Sequence, residues 1–226
     1  NGGISPEPFG MNLSFNVGDA RSNVVANRER FFGALGIQPD ELATSYQIHS
    51  NIVRRADRPG RHESCDALIT GVRNLFLAVT VADCLPVFLY DPRTHSVAAV
   101  HSGWRGSRSR ILGQTLAALN EEFGSKASDL RAYIGPGAAV CCYEVGEEVA
   151  AEFDAAYVSR GTGKKPHLDL RKFNADILRQ AGLDEGALEI SDECTICRPE
   201  IFHSYRRDGQ HSGRMMGVIG LANEVS

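Results

Sequence analysis

Three side chains that bind soft metals stand where apolar runs break off. His49 ends the run in "TSYQIHS", Cys84 sits in "VADCLP" just before another, and His101 closes the small and β-branched run of "SVAAVHSGWRG". Each position reads as a strand end, where a rigid scaffold can hold a side chain at the mouth of a crevice. Two imidazoles and a thiolate suit zinc in its catalytic form, with a fourth position left for water or substrate. The spacing is neither a compact finger nor HExxH, so a plain alternative stays open: two hydrogen-bonded histidines and a cysteine acting as a small buried hydrophobe. A metal-free reading takes Cys84 as nucleophile and His101 as its base. Asp83 is poorly placed to orient that base, because neighbours on a strand point to opposite faces.

Other residues could serve such a centre. Arg105 in "GWRG", and Arg206 and Arg207 in "FHSYRRDG", are candidates for binding phosphate or carboxylate through charge-assisted bonds, although a paired arginine is commonly a solvated face. Trp104 and Tyr143 could wall a pocket for a flat ring. "CCYEVG" (141–146) precedes an expected helix whose first turn is acidic; its amides could hold an anion, or the two cysteines could simply pack a turn. "CTIC" (194–197) has the form of a zinc knuckle or redox pair, but no second CxxC accompanies it, and it reads as structural. A proton carrier would come from Asp66, Asp83, Glu144 or Glu147, among which the sequence does not choose.

The elements that must position these groups alternate in period. Val25, Phe32 and Leu35 at helical spacing, with Gly36 after them, predict a helix over 22–37. Residues 1–20, rich in Gly, Asn, Ser and Pro, read as an ordered loop or short edge strand. Between 66 and 101, "DALIT", "LFLAVTVA", "LPVFLYD" and "SVAAVH" read as strands, several of them buried on both faces. Helices are expected at 107–123, 145–157 and 171–181, and strands at 130–134, 187–190 and 215–221. "VSRGTGKKPH" (158–167) is the one stretch resembling a linker. The reading is a mixed α and β chain forming one domain over 1–226.

Composition narrows the function. A net charge of 24 − 28 = −4 in 226 residues gives no reason to expect nucleic acid or an anionic membrane as partner. No apolar run approaches bilayer length, and "NGGISPEPFG" has neither part of a signal peptide, so a cytoplasmic protein with reduced thiols at its six cysteines is expected.

Taken together, "QIHS", "DALIT", "ADCLPV", "VHSGWRG", "IGP…CCYEVGEEV" and "FHSYRRDG…GRM" resemble, in order, the blocks of the polyphenol oxidase, or laccase-like, family of YfiH type, regarded as purine nucleoside phosphorylases. The resemblance spans nearly the whole chain. It implies an α+β fold, a four-layer α/β/β/α sandwich with mixed β-sheets, and a zinc held by His49, Cys84 and His101. It also implies phosphorolysis of adenosine, inosine, guanosine and methylthioadenosine, and deamination of adenosine. The partners would be a purine nucleoside and phosphate, handled by a monomer or small homo-oligomer, with Arg105, Arg206 and Arg207 as candidates for the substrate. Ser50 and Ser102 stand where the family usually has Gly and Ala; both are small, and Ser102 could tune the bonding of His101. The older label implies copper, but seven scattered histidines without an HxH pair cannot furnish a multicopper centre. Competing readings are a zinc hydrolase editing peptidoglycan precursors, a metal-free cysteine hydrolase, and an interaction module whose zinc is closed by Cys65 or His62.

Overall fold

The structure, a computed structural model, describes residues 2–162 and 164–223. Its strands are β1 (Leu42–Ser45), β2 (Val53–Arg55), β3 (Gly60–His62), β4 (Ala67–Thr70), β5 (Phe76–Val81), β6 (Leu85–Asp91), β7 (Ser96–Ser102), β8 (Arg131–Ile134), β9 (Val158–Ser159), β10 (His167–Leu168), β11 (Leu188–Ile190) and β12 (Met215–Gly220). The helices are α1 (Arg21–Leu35), α2 (Trp104–Arg108), α3 (Ile111–Phe123), α4 (Glu147–Ala150), α5 (Leu170–Gln180) and α6 (Tyr205–Asp208).

The period of two along each strand sorts residues into layers. In β5, Leu77 and Val79 face one way and Phe76 and Ala78 the other; in β7, Val97 and Ala99 oppose Ala98 and Val100. Leu68, Leu77, Val79, Val97 and Ala99 meet in a core between two mixed sheets, ordered β12-β5-β1-β3 and β11-β8-β6-β7-β4-β2. On the outer face of the six-stranded sheet, Ile69, Val87 and Val100 pack against Leu112 and Leu119 of α3 and Ala175 and Leu178 of α5. On the outer face of the smaller sheet, Leu42, Ala78 and Met216 pack against Phe32 of α1. The four layers α/β/β/α anticipated above are therefore present, and the central strands are buried on both faces.

Several local expectations are corrected. The helix expected over 107–123 starts earlier, as α2, and is broken at Arg110, whose left-handed backbone (φ 59°, ψ 44°) separates α2 from α3. The helix expected over 145–157 reduces to the single turn of α4, because Asp154 is extended and residues 155–157 form a separate 3-10 turn. A helix this short offers no terminus for an anion. The supposed linker is tied down where β9 pairs antiparallel with β10, its residue 163 lying outside the described residues. Residues 2–20 contain no strand; Asn27 on α1 holds them by donating to Ser5 Oγ, the Gly10 carbonyl and the Asn12 carbonyl. The short edge strands β2 and β3, rich in arginine and lacking apolar alternation, were not legible.

Leu77 is fully buried between the sheets. Leu77→Ala is expected to lower the unfolding free energy by about 2–5 kcal/mol through lost transfer energy and a residual cavity; a denaturant titration reads it, and a loss under 1 kcal/mol would mean the inter-sheet core is not packed as described.

Candidate active site

The side chain of His101 projects from the end of β7, between the sheets and the loop that follows β1. His49 lies in that loop with a left-handed backbone (φ 60°), and Cys84 follows Asp83, which is also left-handed (φ 84°), immediately before β6. Non-glycine residues in that region are uncommon and cost energy, so the surrounding bonds must hold them there. They do. The fully buried carboxylate of Asp66 accepts from the amides of Ile48 (3.2 Å), His49 (3.0 Å) and Ser50 (2.6 Å) and from Ser50 Oγ (2.7 Å). It also accepts from His101 Nδ1 at 2.8 Å, which leaves Nε2 for a ligand. Asp66 is thus a positioning residue, and its bonding capacity is spent.

The ligand atoms of His49, Cys84 and His101 lie within 4.8 Å of one another, and the two imidazoles meet edge to face with centroids 4.9 Å apart. Neither Cys65 nor His62 joins them: Cys65 is buried in the inter-sheet core and its Sγ faces the His62 carbonyl. The open side of the trio gives onto a cavity of about 530 Å³. Gly103 closes the other side, and a Cβ there would come within 2.9 Å of Cys84 Sγ and 3.2 Å of His49 Cδ2. Soft and borderline donors around a space that only glycine leaves clear fit a zinc ion with one position facing the cavity.

In the metal-free chain these groups polarise one another. Burial pushes the Cys84 thiol up, but His101 and His49 outweigh it and bring it down to about 6. Burial pushes His101 down, while Cys84 and Asp66 raise it to about 9. Burial pushes Asp66 up, yet its bonds to His101 and Ser50 hold it at about 2. A thiolate facing an imidazolium is the result around neutral pH.

The kink at Asp83 overturns an expectation. Asp83 and Cys84 are not on opposite faces of a strand; both line the cavity. Asp83 still does not orient His101, since its carboxylate accepts from Thr195 Oγ1 and from the amide of Arg206, each at 2.7 Å. Of the other carboxylates, Glu144 pairs with Lys165 and Glu147 with Arg160, and neither lines this cavity. Ser102 bonds inward to Ser107 and Asn174 rather than tuning His101.

The arginines separate. Arg206, on the short α6, lines the cavity, and its guanidinium lies over Tyr143 and donates to the Glu144 carbonyl. Arg105 stacks on Trp104 at 4.3 Å and lines an adjoining recess of about 300 Å³ that shares Tyr143 and Arg206 with the main cavity. Arg207 lines neither: it pairs with Asp208 and donates to the carbonyls of Thr195, Ile196 and Phe202, bracing its loop. Arg214, which the sequence reading passed over, lines the cavity, and burial pushes its pKa down. Its only sequence signal is its place in "GRM", beside the last strand. The Oγ of Ser45, another lining residue, is buried without a hydrogen-bond partner among the described residues.

The Cys84 shift makes a pH-dependent expectation. A thiol lowered to about 6 is nucleophilic above that pH, so alkylation of Cys84 in metal-free protein should rise through a midpoint near 6. Peptide mapping after iodoacetamide reads it. His101→Ala should move the midpoint up by more than a unit, and an unchanged midpoint would mean His101 does not stabilise the thiolate.

Known proteins resemble this chain along nearly its whole length. A family model described as multi-copper polyphenol oxidoreductase laccase matches residues 1–222. A purine nucleoside phosphorylase of Deinococcus radiodurans is 40% identical over 97% of this chain and 86% of its own, and one of Corynebacterium glutamicum is 39% identical over 99% and 92%. Among solved structures, a hypothetical protein YfiH of Bacillus licheniformis superposes with a TM-score of 0.93 at 32% identity, covering 98% of this chain and 90% of its own. YlmD of Geobacillus stearothermophilus gives 0.93 at 29% identity over 99% and 89%. The chain belongs to the laccase-like, YfiH-type family of multi-copper polyphenol oxidoreductase laccases, whose curated relatives carry the name purine nucleoside phosphorylase.

Proposed function

We propose that this chain is a zinc-dependent purine nucleoside phosphorylase that also deaminates adenosine, with His49, Cys84 and His101 as the metal ligands. The observation that carries the reading is the open side of that trio, facing a cavity walled by two arginines and three tyrosines. The names of the relatives support the same substrate class.

Zinc bound there supplies Lewis acidity at the floor of the cavity. The chain's own residues do the rest. Phosphorolysis breaks the bond between C1′ of the ribose and the purine nitrogen and forms one from C1′ to a phosphate oxygen; the base leaves with the electron pair and is protonated. Arg206 and Arg214 neutralise and orient the phosphate, since Arg214 spends Nη1 on the carbonyls of Ser212 and Gly213 and keeps Nε and Nη2 for a ligand. Tyr143 and Tyr205 supply apolar faces for the ring, and Ser45 Oγ a partner for a ribose hydroxyl or base edge. Asp83 carries the proton: it is the carboxylate on the cavity wall, and two accepted bonds leave part of its capacity free. Deamination uses the same carrier while water adds at C6 of adenine and ammonia leaves. Arg105, in the adjoining recess, binds at most the outer edge of a substrate.

One observation favours a second reading. Asp66, His101 and Cys84 form the orienter, base and nucleophile of a cysteine hydrolase, with Asp66 in the role Asp83 cannot fill.

Incubating the zinc-loaded protein with adenosine, with and without phosphate, separates the readings. Adenine formed only with phosphate and inosine formed in either buffer are expected, both lost in His101→Ala. Arg206→Ala and Arg214→Ala should each raise KM for phosphate about tenfold, the worth of a charge-assisted bond, whereas Arg207→Ala should leave that KM unchanged and lower Tm. No turnover by folded, zinc-bearing protein would sink the nucleoside reading, and activity that survives chelation but not alkylation of Cys84 would favour the hydrolase.

A further inference from the structure

The two cysteine pairs set aside as structural or packing residues meet in space. The sulfurs of Cys141, Cys142, Cys194 and Cys197 all lie within 4.8 Å of one another. Cys197 Sγ is 3.3 Å from Cys142 Sγ and 3.7 Å from Cys141 Sγ, and a tetrahedral tetrathiolate with zinc–sulfur bonds of about 2.3 Å has edges of about 3.8 Å. Packing does not account for the group, because Cys141 and Cys197 are exposed and Cys142 is half-buried, whereas cysteines used as hydrophobes are interior.

A built scaffold surrounds the sulfurs. A turn closed by the Cys142 and Tyr143 amides on the Ala139 carbonyl presents the first pair, and the second is laid beside it where the Thr195 amide donates to the Gly137 carbonyl at 3.1 Å. The Ala139 amide points at Cys194 Sγ at 3.5 Å. Independently, Arg171 is a buried cation that forms no ion pair among the described residues. It donates to the Gly137 carbonyl in one cysteine loop and to the Glu193 carbonyl in the other, while its Nε has no partner. Four thiolates around a divalent ion carry a net double negative charge, which would complement this guanidinium.

We propose that Cys141, Cys142, Cys194 and Cys197 form a closed, structural tetrathiolate site for zinc, separate from the His49–Cys84–His101 trio. It clamps the loop after β8 to the loop after β11, and so holds Thr195, which donates to Asp83, and the start of α6, which carries Arg206.

Metal analysis of the intact chain, purified under reducing conditions without chelator, tests this. Two zinc ions per chain are expected, falling to one in His101→Ala and to one in Cys197→Ser or Cys142→Ser. Cobalt loaded into His101→Ala should show the intense sulfur-to-cobalt charge-transfer bands of a tetrathiolate. Should the trio bind no metal, one ion retained in His101→Ala and lost in Cys197→Ser still supports the site. Should the cysteine variants fail to fold, His101→Ala still decides. An ion retained there, with these four thiols protected from alkylation, supports the proposal. No ion, with the thiols freely alkylated or joined as Cys142–Cys197 or Cys194–Cys197 disulfides, overturns it.

Discussion

The site depends on one buried carboxylate. Asp66 is removed from water, which alone would drive it toward the neutral form, yet five donors converge on its two oxygens and keep it ionised. Three of those donors are consecutive backbone amides, so the carboxylate shapes the turn that carries His49 into its left-handed conformation. A fourth is the ring of His101. A single group therefore fixes the positions of two imidazoles, one on β7 and one in the loop after β1. Ser50 adds the fifth donor from its hydroxyl.

Cys84 is placed by a strained turn that hydrogen bonds hold in place. Asp83 takes up a left-handed backbone just before β6, and the turn brings both its own side chain and that of Cys84 into the cavity. The strain is held from outside: the Asp83 carbonyl accepts from Ala138, and its carboxylate from Thr195 and Arg206. Gly137 permits this approach, since a Cβ there would lie 2.9 Å from the Asp83 oxygen.

These relations explain what was legible in the sequence. The central strands announced themselves through apolar runs, and the trio through its placement at their ends, because burial and period are local signals. Asp66 was not recognised as the anchor. In one dimension it is a charge before "ALIT", and its partners lie 16 to 35 residues away. The helix expected over 145–157 failed because apolar spacing continues through Val149, Ala150 and Phe153 while Asp154 leaves helical geometry. Among the arginines, adjacency misled: Arg206 and Arg207 share a motif, but on a single helical turn they point to different surroundings, one to the cavity and one to the carbonyls of its own loop.

The cysteines show the same limit most sharply. A pair of CxxC motifs is readable because each half advertises the other; here one half is an adjacent Cys-Cys, and more than 50 residues separate it from "CTIC". The parallel bridge between Gly137 and Cys194, with Arg171 donating to both loops, brings them together. The two clusters differ in donor count, three against four. The trio, backed by Gly103, leaves one face open to the cavity. The four sulfurs line neither the main cavity nor its adjoining recess, so a clamp there would act through Thr195, Asp83 and the start of α6. The geometry of the trio is thus held from two sides, by a buried carboxylate bonded to both imidazole residues and by the loop residues that fix Asp83 beside the thiol.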